Sequence, residues 1–361
     1  MAVVQPGVVA HIAHCLGSTK DVVSFLQALP RDALDAPLVA LQTLLTSGGL
    51  NQTSIWPQVA VEFLADPNGA NVRAALPAFR SISIHNLYSL AEKLRDASSD
   101  ALEAIVAFAA TWGHKITSID VTFWLQPKDN DVLTRVLGLC TGLVSVAANI
   151  DAVSDPATLA TIVQAAQHAK RIVFYSDIDQ TFPCGDWRCI FAHWLASGHA
   201  TGLGLQEFSS TDDAAFARAI ATTTSLTSLA LTNTDGVLQG LLKAAMPLHH
   251  LTELRVVTPH NGVAETLLST FLDPSRLRML ELDIGIDDAD LAIVLTLLPR
   301  LVRLEELSLR NGLLEGEPDV SMAPRCPREL CIDRCTIDDG AFSGLLAWAS
   351  QSPCLETVSI R

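Results

Sequence analysis

Leu304-Glu-Glu-Leu307-Ser-Leu309 carries leucines at spacings of three and then two. The last two fall on one face of an extended strand, where side chains alternate. The same spacing recurs as Leu226-Leu229-Leu231 and Leu277-Leu280-Leu282. Allowing other aliphatics adds Ile116-Ile119-Val121, Leu143-Val146-Ala148, Leu251-Leu254-Val256 and Leu355-Val358-Ile360. Weaker copies start at Phe79, Ala169, Ala200 and Pro327, which makes eleven starts between 79 and 355. Successive starts differ by 23 to 37 residues, mostly by 25 to 28, so a period near 26 runs through ten intervals. Such a period is a structural repeat.

Helical patterns fill the intervals. Pro156-Ala-Thr-Leu-Ala-Thr-Ile-Val opens with proline, which suits a first helical turn because it lacks an N–H. Thr211-Asp-Asp-Ala-Ala-Phe opens with a capping hydroxyl and two acids that complement the helix dipole. Asp287-Asp-Ala-Asp-Leu does the same ahead of a helix that stops at Pro299.

One strand and one helix per period resembles the leucine-rich-repeat unit. The copy Leu330-Cys-Ile-Asp-Arg-Cys335-Thr-Ile337-Asp-Asp-Gly340 is similar to the ribonuclease-inhibitor-like and cysteine-containing classes of that repeat. The resemblance implies an α/β horseshoe with a parallel sheet on the concave face and helices on the convex face. It covers residues 79–361, as a domain of about eleven strands whose last repeat is incomplete. It also implies that Cys335, at the turn after its strand, joins a ladder of side chains meeting backbone groups.

That register decides another stretch. Ile172-Val-Phe-Tyr-Ser-Asp177-Ile-Asp179-Gln-Thr181 resembles the first motif of haloacid-dehalogenase-like phosphatases. Asp177 lies three residues after Phe174, as Cys335 lies three after Ile332, so it is expected as a ladder residue rather than a nucleophile.

Residues 1–78 lack the period and are expected as a small all-α module. Val9, Ile12 and Leu16 share one helical face, and Ser18 or Thr19 can cap a second helix ahead of Asp21. Pro6, Val9, Ile12, Leu16, Asp21 and Val22 resemble the F-box, with Gln5 where that family has leucine. The resemblance implies docking on a Skp-type adaptor of a cullin ubiquitin ligase. The other reading is a helical cap over the first repeat's open edge.

Composition excludes several classes. Thirty-nine acids against 24 Lys and Arg give a formal charge of -15, with no basic run, so nucleic-acid binding is not expected. No apolar stretch is long enough for a membrane span, and the N-terminus lacks a basic signal region. The eight cysteines then read as reduced thiols of an intracellular protein, cytoplasmic or nuclear. His11, His14 and Cys15 lack a further ligand, and Cys326, Cys331, Cys335 and Cys354 lack paired zinc spacing, so no metal or cofactor is expected. Gly202-Leu-Gly204 is too short for a nucleotide loop. No catalytic motif is present, and the chain is expected not to be an enzyme.

The residues between and just after the anchors remain. Glu253, Arg255, Glu281, Asp283, Glu306, Arg310, Glu329 and Asp333 should face outward on four neighbouring strands, six acids against two arginines. Arg278, Arg328 and Arg334 lie close by. Earlier strands should present Tyr175, Gln206 and Phe208. The expected function is protein recognition without chemistry, with a target carrying a basic segment recruited to a Skp-cullin-F-box-type ligase. The alternative is a repeat scaffold or inhibitor without a ubiquitin link. The chain also stops on a strand at Arg361, where a covering segment or partner is expected.

Overall fold

The structure is a computed structural model. It describes residues 5–47, 56–61, 69–94, 100–122, 130–149, 156–175, 186–208, 212–258, 262–284, 291–316 and 327–361. Contacts divide the chain into two compact units, 1–149 with 157–169, and 150–156 with 170–361.

The first unit begins with helices α1 (Pro6–Cys15), α2 (Thr19–Ala28) and α3 (Ala36–Thr46). Proline opens α1 without wasting a donor. Ser18 Oγ caps α2 by accepting from the Asp21 N–H at 3.1 Å, and Asp35 caps α3 through the Leu38 N–H at 3.0 Å. Val9 and Ala13 of α1, Val22 and Leu26 of α2, and Leu38, Leu41, Leu44 and Leu45 of α3 are buried.

Four parallel strands follow in chain order: β1 (Gln58–Ala60), β2 (Ser81–Ile84), β3 (Ile116–Thr122) and β4 (Ser145–Asn149). Strand β1 lies in the segment expected to be wholly helical and extends the sheet one strand before the repeat pattern starts. The N-terminal helices and first repeats therefore share one unit, whereas the pattern alone draws a boundary at 78. Trp56 ties them together. Its ring stacks on His14 at 5.4 Å and leans on Phe79 at 6.1 Å, and its Nε1–H donates to Leu16 O at 3.2 Å. Lys115 Nζ donates to the carbonyls of Leu76, Pro77 and Phe79 at 3.3, 2.6 and 2.9 Å, so a cation closes a helix end.

The second unit carries β5 (Arg171–Tyr175), β6 (Gly202–Gln206), β7 (Ser228–Thr232), β8 (Glu253–Val257), β9 (Met279–Asp283) and β10 (Glu306–Arg310). After β11 (Leu313–Leu314) come β12 (Glu329–Asp333), β13 (Thr336–Ile337) and β14 (Thr357–Ile360). Strands β5 to β10, β12 and β14 pair in parallel with their chain neighbours, while β11 and β13 form a separate short ladder. Helices alternate with them, among them Trp187–Ala196, Asp213–Thr222, Asp235–Ala244 and Asp339–Ser350. Each of the eleven expected strands is present. The fold is α/β, a leucine-rich-repeat architecture with a small helical module at its N-terminus.

The aliphatic anchors explain why. Leu226, Leu229 and Leu231, like Leu277, Leu280 and Leu282, are at most 1% exposed. Burying each leucine contributes about 1.5–3 kcal/mol, and each repeat supplies its neighbours' apolar surface. Only the last copy departs, with Val358 45% exposed, because β14 lies at a sheet edge and has a neighbour on one side.

Several strands end on a left-handed residue: Glu207 (φ 56°), Asn233 (49°), Asn311 (52°) and Arg334 (53°). Each sits two residues past its last anchor, and its N–H donates to the next strand, as Asn233 does to Val257 O at 2.8 Å. The bend turns the following side chain inward. Cys335 is thereby half-buried, with Sγ 3.5 Å from Leu309 O, and burial pushes its thiol pKa up. Asp177 and Asp179, expected at the same turn of their repeat, lie outside the described residues, as do Asp287, Asp288 and Asp290. The helix expected to start at Thr211 is capped instead by Asp212, whose carboxylate accepts from the Ala215 N–H at 2.9 Å.

Candidate functional site

Alternation along β5 to β12 leaves one side chain in two on the sheet face away from the buried anchors. Strand register sorts these into rows across the second unit. One row runs Gly202, Ser228, Glu253, Met279, Glu306 and Glu329. The next runs Gly204, Ala230, Arg255, Glu281, Ser308 and Cys331. The third runs Gln206, Thr232, Val257, Asp283, Arg310 and Asp333, with Tyr175 beyond Gln206.

Small residues make a hollow in these rows. A Cβ on Gly204 would meet Val173 Cγ1 at 2.9 Å, and one on Gly202 would meet Arg171 Cγ at 3.0 Å. The glycines thus let the β5 side chains lean over β6. Beside them Ala230 adds only a methyl group. The result is a depression of about 190 Å³ bordered by Arg171, Tyr175, Gln206, Arg255 and Glu281. A second depression, about 140 Å³, lies over Ser308 and Cys331, between Glu281, Arg310 and the pair Glu306 and Glu329. Small-molecule sites usually enclose roughly 300–1,000 Å³. Each of these hollows is sized for one side chain.

Glu281 separates the two. Its carboxylate lies 3.4 Å from Arg255 Nε and 3.5 Å from Arg310 Nη1, and its side chain is only 13% exposed. The acidic surplus expected on this face is therefore smaller at its centre, where both arginines share one acid. Asp283 is also engaged, accepting from Asn311 Nδ2 at 2.7 Å. Arg278, expected to offset the acids, instead pairs with Glu305 at 2.7 Å. Glu253 is half-buried, and Glu306 and Glu329 are exposed. Beside Glu281, three polar atoms are buried without a hydrogen bond: Glu281 Oε1, Ser308 Oγ and Arg310 Nε.

One expected face residue is not on the face. Phe208 is 2% exposed, stacked on Phe174 at 6.3 Å and packed on Trp187 at 4.3 Å. The left-handed Glu207 reverses the alternation, and Phe208 takes the position that Cys335 holds in its own repeat. The expectation had extended the strand's alternation one turn too far. The signal was available, since Phe208 lies three residues after the anchor Leu205.

The six F-box-like positions divide. Val9 and Val22 are fully buried and serve the chain's own core. Pro6 and Leu16 are half-buried, Asp21 is exposed, and Ile12 is 40% exposed. Val8, one turn before Ile12, is 50% exposed, so an apolar pair faces outward on α1. Sequence reasoning passed over Val8.

Among the described residues no group of His, Cys, Asp or Glu is arranged to hold a metal ion, and no helix is long and apolar enough to cross a membrane. Cys140 is buried, and burial pushes its thiol pKa up to about 12.

No family model and no curated protein matches the chain. Among solved structures it is similar to a tropomodulin C-terminal domain from Caenorhabditis elegans. The identity is 14% and the TM-score 0.30, over 39% of this chain and 90% of that one.

Proposed function

We propose that the second unit's open sheet face recognises a protein, and that the chain acts by binding rather than by catalysis. The carrying observation is the 190 Å³ depression over Gly204 and Ala230, which suits one partner side chain. A partner's anchor in such a pocket, ringed by polar groups that exclude water, is where binding energy concentrates. A photo-crosslinking residue at Tyr175 or Gln206 tests this, with Ala192 on a helix as control. Any protein captured is then identified, purified and titrated against the wild type and Ala230→Leu. The reading holds if capture is specific to the sheet positions and Ala230→Leu weakens binding about tenfold. Equal capture from Ala192, or unchanged affinity, overturns it.

A link to ubiquitin ligases is a second reading, favoured by the outward pair Val8 and Ile12 on α1. Under it, α1 docks on a Skp-type adaptor and the sheet face supplies the substrate. A purified adaptor should co-elute with the wild type and not with Ile12→Asp. If the wild type does not co-elute either, the chain is a scaffold or inhibitor with no ubiquitin link.

A further inference from the structure

The two depressions lie on one sheet face but differ in chemistry. Around the first, Arg171 and Arg255 balance Glu253 and Glu281. Around the second, Glu281, Glu306 and Glu329 face Arg310 alone. Glu306 and Glu329 are register partners on adjacent strands, roughly 4.8 Å apart. Both are exposed, and neither makes an ion pair among the described residues. Like charges directly opposite one another repel, so a cation between them is favoured. Ser308 Oγ, buried at the same place without a hydrogen bond, is a further acceptor for a donor-rich group.

We propose that the open face binds one extended peptide segment that places an apolar side chain over Ala230 and a lysine or arginine over Ser308. This rests on the reading of the face as a protein-binding surface. Ala230 on β7 and Ser308 on β10 lie in one register row with Arg255 and Glu281 between them, three strand spacings apart. That is roughly 14 Å at the usual strand separation. An extended chain advances about 3.3 Å per residue, so the two anchors are about four residues apart. The Arg255–Glu281 ion pair lies between the two anchors in the same register row.

The test is selection of a random dodecapeptide display library on the purified full-length chain, followed by titration of synthetic copies of the enriched peptides. The expected consensus holds one large apolar residue and one Lys or Arg, about four positions apart in either direction. Ala230→Leu should weaken those peptides about tenfold. Glu306→Gln with Glu329→Gln should weaken them about tenfold at low salt and less at high salt, as exposed charge pairs do. Circular dichroism and melting temperature establish that each variant is folded, and Tyr175→Ala is a second probe of the first depression if Ala230→Leu is not.

A consensus without a basic position, or peptides indifferent to the Glu306 and Glu329 changes, overturns the inference. If those same peptides still need Ala230, the protein-binding reading stands without it. Peptides indifferent to both sets of changes overturn the two readings together. No enrichment at all overturns the inference for linear segments and leaves folded proteins as partners of the face.

Discussion

Glu281 is the residue on which the charges of the open sheet face converge. Two guanidiniums lie within 3.5 Å of its carboxylate, and little of it reaches solvent. Removing one member of a partly buried charge cluster leaves the others uncompensated, which costs more than the intact cluster contributes. Reversing it to lysine would place three cations together, so Glu281→Lys should lower unfolding stability by about 2 kcal/mol. Glu306→Lys, on an exposed side chain one strand away, should change it by no more than about 0.5 kcal/mol. Urea denaturation of the two variants beside the wild type measures both, and equal effects would mean that the triad is dispensable. The outward direction of Glu281, Arg255 and Arg310 is legible from the repeat, since the first two fall between buried anchors and Arg310 falls just after one. Their convergence is not, because it depends on which neighbouring side chain each guanidinium reaches. A count of six acids against two arginines therefore overstates the negative charge at the centre. Phe208 shows the converse, a position whose burial follows from counting three residues past Leu205 rather than continuing the strand.

At the scale of the element, α1 is the informative case. The apolar residues at 9 and 12, with Leu16 just past its end, define a face, yet the helix turns Val9 and Ala13 inward and leaves Ile12 40% exposed. The inward edge is chosen by its neighbours, because Val22 and Leu26 of α2 and the Trp56 ring offer apolar surface there. A hydrophobic stripe read from spacing gives the face to within one residue and leaves its two edges undecided. Docking and packing roles then separate by mutation. Val9→Asp buries an unpaired carboxylate and should destabilise the first unit by several kcal/mol. Ile12→Asp should alter stability by about 0.5 kcal/mol or less, whatever it does to a partner. Thermal melts followed by circular dichroism distinguish them, and a large loss from Ile12→Asp would give that residue a core role. Strand β1 was beyond the same kind of reading. It has three residues, no anchor triplet, and is defined by its pairing with β2. Longer periods made the other strands legible, because each anchor set repeats at a distance that composition alone does not produce.

For the whole molecule, the arrangement of contacts predicts how damage spreads. A repeat array is stabilised mainly between neighbours, so a lesion at one end should weaken nearby repeats first. The N-terminal helices reach the sheet through His14, which meets Ala78 O at 2.8 Å and stacks on Trp56, and Trp56 in turn contacts Phe79. Deleting residues 1–30 removes His14, Val9, Val22 and Leu26 and uncovers one face of Trp56. Local opening free energies differ along a chain, and amide hydrogen exchange reads them segment by segment. In the shortened chain, exchange should accelerate most in β1 and β2 and less in β3 and β4. In β9, β10 and β12, which pair only with one another and with strands of the second unit, it should match the full chain. Unchanged protection in β1 and β2 would reduce the N-terminal helices to an appendage that does not support the sheet. Loss of protection throughout would mean that the units fold as one cooperative block, against nearest-neighbour stabilisation. A graded loss confined to the first strands would make the module a structural cap, whether or not Ile12 also meets an adaptor.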